Sequence, residues 1–203
     1  MNETQQKYDY FAKECSFWLW VEDVAQKILG ITKWRKNLIK SSEGNVLDVA
    51  TGTGINFKYY SKNCHVFAID ISWEMLKIAQ KTKPPWLKIN FLLADAENLP
   101  FIFDSFDSTV SVFSLCTVDK PIKAVNEIKN VCKLDGQLLF LEHGKSSWKI
   151  ISSWQNKRAK KHKKYLNCHN NRNIIQIIKK GGLNNISITK KWFGIFYLIT
   201  NKK

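Results

Sequence analysis

The 203-residue chain carries no aspartate or glutamate after Glu142. It has no apolar run near the roughly 20 residues a spanning helix needs, and no internal repeat. The polar opening MNETQQKYDYFAKE matches neither a secretory signal nor an Arg-rich transit peptide. The cysteines (Cys15, Cys64, Cys116, Cys132, Cys168) are odd in number and form no C-x-x-C pair. That argues against a zinc ribbon, haem attachment or a disulfide framework. It points instead to reduced thiols in an intracellular compartment, cytosol or organelle interior. His162, Cys168 and His169 lack a matching second pair, so no metal is expected.

The missing acids make the charge lopsided. The net charge is +15, from 32 basic and 17 acidic residues. Residues 1–142 balance, and the whole excess lies in residues 143–203, densest in KRAKKHKK (Lys157 to Lys164). A field of one sign favours polyanions, either nucleic acid or an anionic membrane surface. An AT-rich coding bias would also supply lysine, asparagine and isoleucine, but it does not remove acids.

With 44% hydrophobic and 24% charged residues, the chain is globular. Residues 1–40 read as a helical N-terminal lid, with Phe11, Phe17, Leu19, Trp20, Val21, Val24, Ile28 and Leu29 at three- and four-residue steps and Gly30 as a stop. From residue 45, apolar runs alternate with helical stretches. The runs are Asn45–Ala50, His65–Asp70, Ile89–Asp95, Ser108–Leu115 and Gln137–His143. Between them lie helices at Asn56–Ser61, Ser72–Lys81 and Pro121–Cys132. Continuous apolar strands alternating with helices predict a parallel sheet covered on both faces. Lys145–Leu166 reads as a basic helix and Asn173–Lys180 as another. Asn185–Thr189 and Gly194–Thr200 close the sheet as an antiparallel edge. The expected fold is α/β: a Rossmann-like, seven-stranded, mostly parallel sheet with helices on both faces and an antiparallel last strand.

Ligands of such sheets bind beyond the carboxyl ends of the strands. The first run ends in Asp48-Val49-Ala50-Thr51-Gly52-Thr53-Gly54, where the glycines permit a tight turn and close backbone approach. The second ends in Asp70, suited to gripping ribose hydroxyls. The third ends in Asp95-Ala96, a carboxylate and a backbone N–H able to read an adenine edge. Three acids in a row predict a nucleoside ligand without phosphates. A dinucleotide fingerprint needs a third glycine where Phe57 stands, and no G-K-[ST] of a P-loop follows the first run.

VLDVATGTG, FAIDIS with Met75 beyond it, ADAENLPF and SFDSTVSVF together resemble the class I S-adenosylmethionine-dependent methyltransferases. AENLPF, SFD, LEHGKS, NRN and the N-terminal YDYFA (Tyr8 to Ala12) resemble the menaquinone/ubiquinone-biosynthesis group (methyltransferase type 11), which includes phospholipid and methyltransferase-like thiol methyltransferases. The likeness runs over roughly residues 8 to 200. It implies a methyltransferase domain at 41–203 with a basic helical insertion at about 145–170. It also implies S-adenosylmethionine as cofactor, S-adenosylhomocysteine as product, and a set of site residues. Asp48 and the backbone of Ala50, Thr51, Gly52, Thr53 and Gly54 would meet the methionine moiety. Asp70 and Ile71 would hold the ribose, with Met75, Asp95 and Ala96 at the adenine. Val112 and Phe113 would line the cleft under the sulfonium.

Two departures stand out. Ala50 replaces the first glycine of D-x-G-x-G-x-G, which requires φ below zero there. Cys15-Ser16 replaces a second Tyr-Asp of the N-terminal motif. His143, at the end of the fifth run, is the candidate catalytic residue. The implied acceptor is small and lipophilic (a quinone precursor, a lipid headgroup or a thiol), with the basic segment resting on an anionic membrane. The alternative is an RNA or protein methyltransferase that holds its substrate through the basic region. Against it, VFSLCTV stands where exocyclic-amine methylation uses an N/D-P-P-Y loop.

Overall fold

The computed structural model describes residues 3–14 and 25–203. Its strands are β1 (Asn45–Val49), β2 (His65–Asp70), β3 (Lys88–Leu93), β4 (Phe106–Val112), β5 (Cys132–His143), β6 (Ser187–Lys191) and β7 (Phe196–Lys202). They form one sheet in the order β3-β2-β1-β4-β5-β7-β6. β1 to β5 pair in parallel, while β7 runs antiparallel to β5 and β6 antiparallel to β7. The helices are α1 (Glu3–Glu14), α2 (Ile31–Ile39), α3 (Trp73–Thr82), α4 (Pro121–Val131), α5 (Lys149–Leu166) and α6 (Ile174–Lys180). This is the expected Rossmann-like architecture, and its switch point lies between β1 and β4.

The uninterrupted apolar strands have a two-sided explanation. Successive side chains point to opposite faces, and both faces are covered. Leu47, Val49, Leu138 and Phe140 enter a core with Ala124, Val125 and Ile128 of α4 and Ile174, Ile177 and Ile178 of α6. Val46, Val110, Leu139 and Leu141 enter a second core with Ile31, Leu38 and Ile39 of α2 and Ala79 of α3. Each such side chain contributes about 1.5–3 kcal/mol by leaving water. At one sheet edge β6 is short and carries Lys190 and Lys191, which discourages edge pairing.

Several boundaries differ from the sequence expectation, each for a local reason. Asn56–Ser61 contracts to one 3-10 turn at Phe57–Tyr59, because Phe57 is fully buried in the second core. β5 begins at Cys132 instead of Gln137, since a bulge between Phe106 and Ser108 lets Cys132 pair with Phe106. The basic helix starts at Lys149, because the preceding residues lie on the β6–β7 hairpin: Ser147 N–H donates to Phe193 O at 3.1 Å. The expectations placed on Cys15-Ser16, Phe17, Leu19, Trp20, Val21 and Val24 fall outside the described residues.

Ala50 corrects the sequence reading outright. Its φ is +52°, in the left-handed region that costs a non-glycine residue about 1–2 kcal/mol. The loop after β1 therefore keeps the glycine conformation without the glycine. Ala50→Gly should stabilise the fold by about 1 kcal/mol and raise Tm by about 2–4 °C. A melt unchanged or lowered in the variant would contradict the assigned strain.

Candidate active site

Strand alternation decides where Asp48 points. It shares a face with Val46, so its carboxylate enters the second core, fully buried. A buried carboxylate must find donors, and it does. Asn56 Nδ2 donates to both oxygens at 3.0 and 3.3 Å, and Thr51 Oγ1 donates to Oδ2 at 3.2 Å. Behind Asn56 stands the buried Arg35 of α2, whose Nη1 donates to Asn56 Oδ1 at 2.7 Å and Nη2 to Gln26 Oε1 at 2.6 Å. The Arg35 guanidinium also lies 5.5 Å from the Phe113 ring centroid. Burial pushes Asp48 up to about 6, opposed by the Asn56 and Thr51 hydrogen bonds and the Arg35 charge.

Asp70 fastens the same loop from the other side. Its Oδ2 accepts Gly52 N–H at 2.8 Å, and its Oδ1 accepts Ser72 N–H at 2.9 Å. Thr51 N–H donates to Ile69 O at 2.9 Å, and Ala94 N–H donates to Asp70 O at 3.0 Å. Burial raises Asp70 to about 6 as well. Gly52 has φ +57°, and a Cβ there would meet nothing within 4 Å, so its peptide faces open space. Gly54 differs: a Cβ there would lie 2.4 Å from the Phe57 ring.

The remaining expected residues divide. Met75 is buried in the first turn of α3, its N–H capped by Ser72 Oγ at 3.1 Å, with Ile71 between Asp70 and that cap. Thr53 O accepts from Thr82 Oγ1 at 2.9 Å. Asp95 spends one oxygen on its own turn, accepting Glu97 N–H at 2.9 Å beside the buried Ala96. Val112 ends β4, and Phe113 follows at φ +57°, its ring 5.6 Å from His143. Direct bonds thus join Asp48, Ala50 to Gly54 and Asp70. Asp95 is joined through the Ala94 backbone, and Val112, Phe113 and His143 stand at the tips of β4 and β5.

Sequence reasoning missed four features. Glu142 is fully buried, and one oxygen accepts from Ser111 Oγ at 2.7 Å and Ser114 N–H at 3.2 Å, the other from Leu115 N–H at 3.1 Å. It thereby fixes the loop after β4. Burial pushes it up to about 7. Arg35 was a readable signal, being one of three arginines among 29 lysines. Asp9 of α1 accepts from Ser72 Oγ at 2.5 Å and Glu74 N–H at 3.4 Å, docking α1 on the start of α3. Finally, Cys168 meets His143 and Cys116, not the His162–His169 surroundings considered from sequence. His143 Nε2 lies 3.2 Å from Cys168 Sγ.

The donor set fits a nucleoside with an aliphatic amine. A carboxylate offers about four lone-pair sites, and the backbone uses two of those on Asp70. The peptide of Gly52 is approachable, with no atom within 4 Å of where a Cβ would stand.

The raised pKa values carry a sign. Asp48, Asp70 and Glu142 bind protons more tightly folded than unfolded. Their contribution to stability is complete below their unfolded values near 4 and is lost as pH rises through 6 and 7. His65 and His169, held low by burial, act in the opposite sense, so the informative measurement is a difference. Melting the ligand-free protein from about pH 5.5 to about pH 8 should show the wild type losing more stability than Glu142→Gln. Parallel curves would contradict the burial of a titrating Glu142.

Comparison with known proteins agrees with this geometry. Residues 47–140 match the family model described as a methyltransferase domain. A mitochondrial methyltransferase of Saccharomyces cerevisiae is 26% identical over 89% of this chain and 43% of its own length. A demethylmenaquinone methyltransferase of Paenarthrobacter aurescens is 33% identical over 66% of this chain and 54% of its own. The chain thus spans about half the length of the curated relatives it matches. A solved S-adenosylmethionine-dependent methyltransferase structure from Thermotoga maritima superposes with a TM-score of 0.71 at 20% identity, covering 98% and 99% of the two chains, which bears on the fold. No helix among the described residues is long and apolar enough to cross a membrane. With the motif loop, the strand-tip carboxylates and these likenesses in agreement, the chain resembles the class I S-adenosylmethionine-dependent methyltransferases, and residues 47–140 match their methyltransferase domain.

Proposed function

We propose that the chain is an S-adenosylmethionine-dependent methyltransferase acting on a small, lipophilic acceptor met at an anionic membrane surface. The observation that carries the cofactor half is Asp70. It clamps Gly52 and Ser72 with one oxygen each at the tip of β2, where its carboxylate would meet two adjacent hydroxyls, as a ribose presents. Asp48 holds the loop through Thr51 and Asn56 and gives the methionine end a negative charge. Met75, Asp95 and Ala96 border the adenine, and Val112 and Phe113 border the reacting centre. When bound, the cofactor supplies an activated methyl group, and the protein's task is alignment and exclusion of water.

α1 serves as the lid. Asp9 ties it to α3, Lys7 Nζ donates to Asn167 Oδ1 at 3.4 Å, and Tyr8 is held near Asp70, Thr117, Cys116 and Cys168. Burial raises the Tyr8 phenol well above its ordinary value, so it stays a neutral, hydrogen-bonding wall.

The acceptor half rests on relatives and on surface chemistry. Relatives named demethylmenaquinone methyltransferase, phosphatidylethanolamine N-methyltransferase and thiol S-methyltransferase match 52–66% of this chain. Around α5, Trp148, Ile150, Trp154 and Tyr165 are exposed, Ile150 by 84%. Phe193 meets Trp148 edge to face with ring centroids 4.5 Å apart, and Arg158 sits 5.1 Å from the Trp154 ring centroid. Cavities of about 330 and 240 Å³ flank Tyr165, lined by aromatic rings with Lys7, Lys164, Arg158 and Lys161. Exposed tryptophans among lysines suit a lipid interface.

Two measurements test the halves. Calorimetry should show 1:1 S-adenosylhomocysteine binding that Asp70→Asn weakens at least about 10-fold, the value of one lost charge-assisted hydrogen bond. Equal affinity would remove the assigned ribose site. Co-sedimentation at low salt should favour vesicles containing anionic phospholipid over neutral ones, and Trp148→Ala with Trp154→Ala should release the protein. Binding to RNA that is tighter, with a steep salt slope, would make nucleic acid the substrate class instead.

A further inference from the structure

Outside the loop that fits the cofactor, three soft ligand groups converge from distant parts of the sequence. Cys116 follows β4, His143 ends β5 and Cys168 follows α5. One ligand atom from each lies within 4.8 Å of the others. Both cysteines are buried. The geometry points to a three-ligand site for a thiophilic divalent cation of the zinc type, held by Cys116 Sγ, His143 Nε2 and Cys168 Sγ, with one coordination position left over.

The argument begins with donor chemistry. Two thiolates and a neutral imidazole suit zinc, whose charge they balance. Zinc–sulfur and zinc–nitrogen bonds of about 2.3 and 2.0–2.1 Å set tetrahedral ligand atoms roughly 3.5–3.8 Å apart. The 3.2 Å pair His143–Cys168 and the 4.8 Å limit bracket that spacing, so only small side-chain shifts are needed. Three protein ligands with an open fourth position is the arrangement of reactive zinc sites; structural sites fill all four.

The backbone around the ligands is already fixed. His169 N–H donates to Cys116 O at 2.8 Å, joining the two cysteine segments. Glu142, adjacent to His143, binds Ser114 N–H and Leu115 N–H just before Cys116. Arg172 Nη1 donates to Leu115 O and Val118 O, both at 2.6 Å. His162 Nδ1 pairs with Cys168 O at 3.0 Å. These ties hold the donors at separations a plain apolar core would not require. The charges facing the cluster are Glu142, Arg172 and His162, with Tyr8 against both thiols. Cys168 is the more acidic thiol, held low by hydrogen bonds from Cys116 and His143, while Cys116 is pushed up.

Placed at the tips of β4 and β5, the site adjoins the reacting end of the proposed cleft. There the open position would take a sulfur or oxygen of the acceptor. Only that use rests on the methyltransferase reading; the metal site itself does not. It also makes His143 a ligand in place of a proton carrier.

The test uses the full chain, purified without oxygen in a non-thiol reductant and titrated with zinc(II), then with cobalt(II) as a spectroscopic probe. One equivalent should bind. Cobalt should give thiolate-to-metal charge transfer and the visible bands of a tetrahedral site. Cys168→Ser and His143→Gln should each weaken binding by more than the roughly 10–100-fold that losing an outer-shell partner costs, and Cys132→Ser should not. S-adenosylhomocysteine calorimetry on the same samples reports folding and the cofactor site separately. No saturable binding at micromolar zinc would overturn the proposal, as would binding kept in the Cys116→Ser, Cys168→Ser double variant. A Cys116–Cys168 disulfide that persists in the reductant, with no metal bound, would also overturn it.

Discussion

A carboxylate inside an apolar core is the constraint on which the site depends. Asp48 sits in a strand whose neighbours all go to hydrocarbon, and sheet alternation gives it no route to water. Its donors must therefore be brought in, and bringing them in builds the loop. Thr51 and Asn56 reach back to it, and Arg35 reaches down from α2 to orient Asn56. A loop anchored at both of those points has little freedom between them. That restriction accounts for Ala50 at φ +52° and for Gly52 directed onto Asp70. The backbone strain is maintained because the surrounding hydrogen bonds over-determine the chain path.

The same logic repeats across the switch point. Glu142 lies opposite in face to His143, by alternation along β5, and its two oxygens collect the donors of the loop after β4. Phe113 at φ +57° is the counterpart of Ala50: a non-glycine residue held left-handed where a strand stops and a loop starts. Each of these two strand tips thus carries a loop tethered to one buried acid, and burial raises the pKa of both acids.

The fold was legible because its signals are one-dimensional. Apolar runs of β-branched residues separated by helical periods specify a parallel sheet, and the strand-end acids with glycines specify its ligand end. Asp70 and Gly52 were readable for that reason. What escaped were pairings set by three-dimensional convergence. Asn56 sits in a stretch that reads as helix, yet its amide is spent on Asp48. Cys116, His143 and Cys168 are 27 and 25 positions apart, so no spacing motif reveals them. Ala50 was misread because local residue type suggested an ordinary φ, whereas the tethers on either side dictate otherwise. The arginines carried the one overlooked signal. In a chain that uses lysine almost everywhere, Arg35 stands where a planar fork serves two acceptors at once, which an ammonium point charge does less well, and Arg172 Nη1 reaches two backbone carbonyls.

The lopsided charge acquires a structural meaning through where the basic chain lies. α5 and the β6–β7 hairpin both emerge at the β5 tip, and they meet through Trp148 on Phe193. No acid follows Glu142 in sequence, so α5 and the hairpin bring cations and aromatic rings with no acid of their own. Lysines repelling one another along a helix cost stability in isolation. An external polyanion relieves that cost, and rings exposed beside the cations gain by leaving water at the same contact. The two effects reinforce each other at a lipid surface.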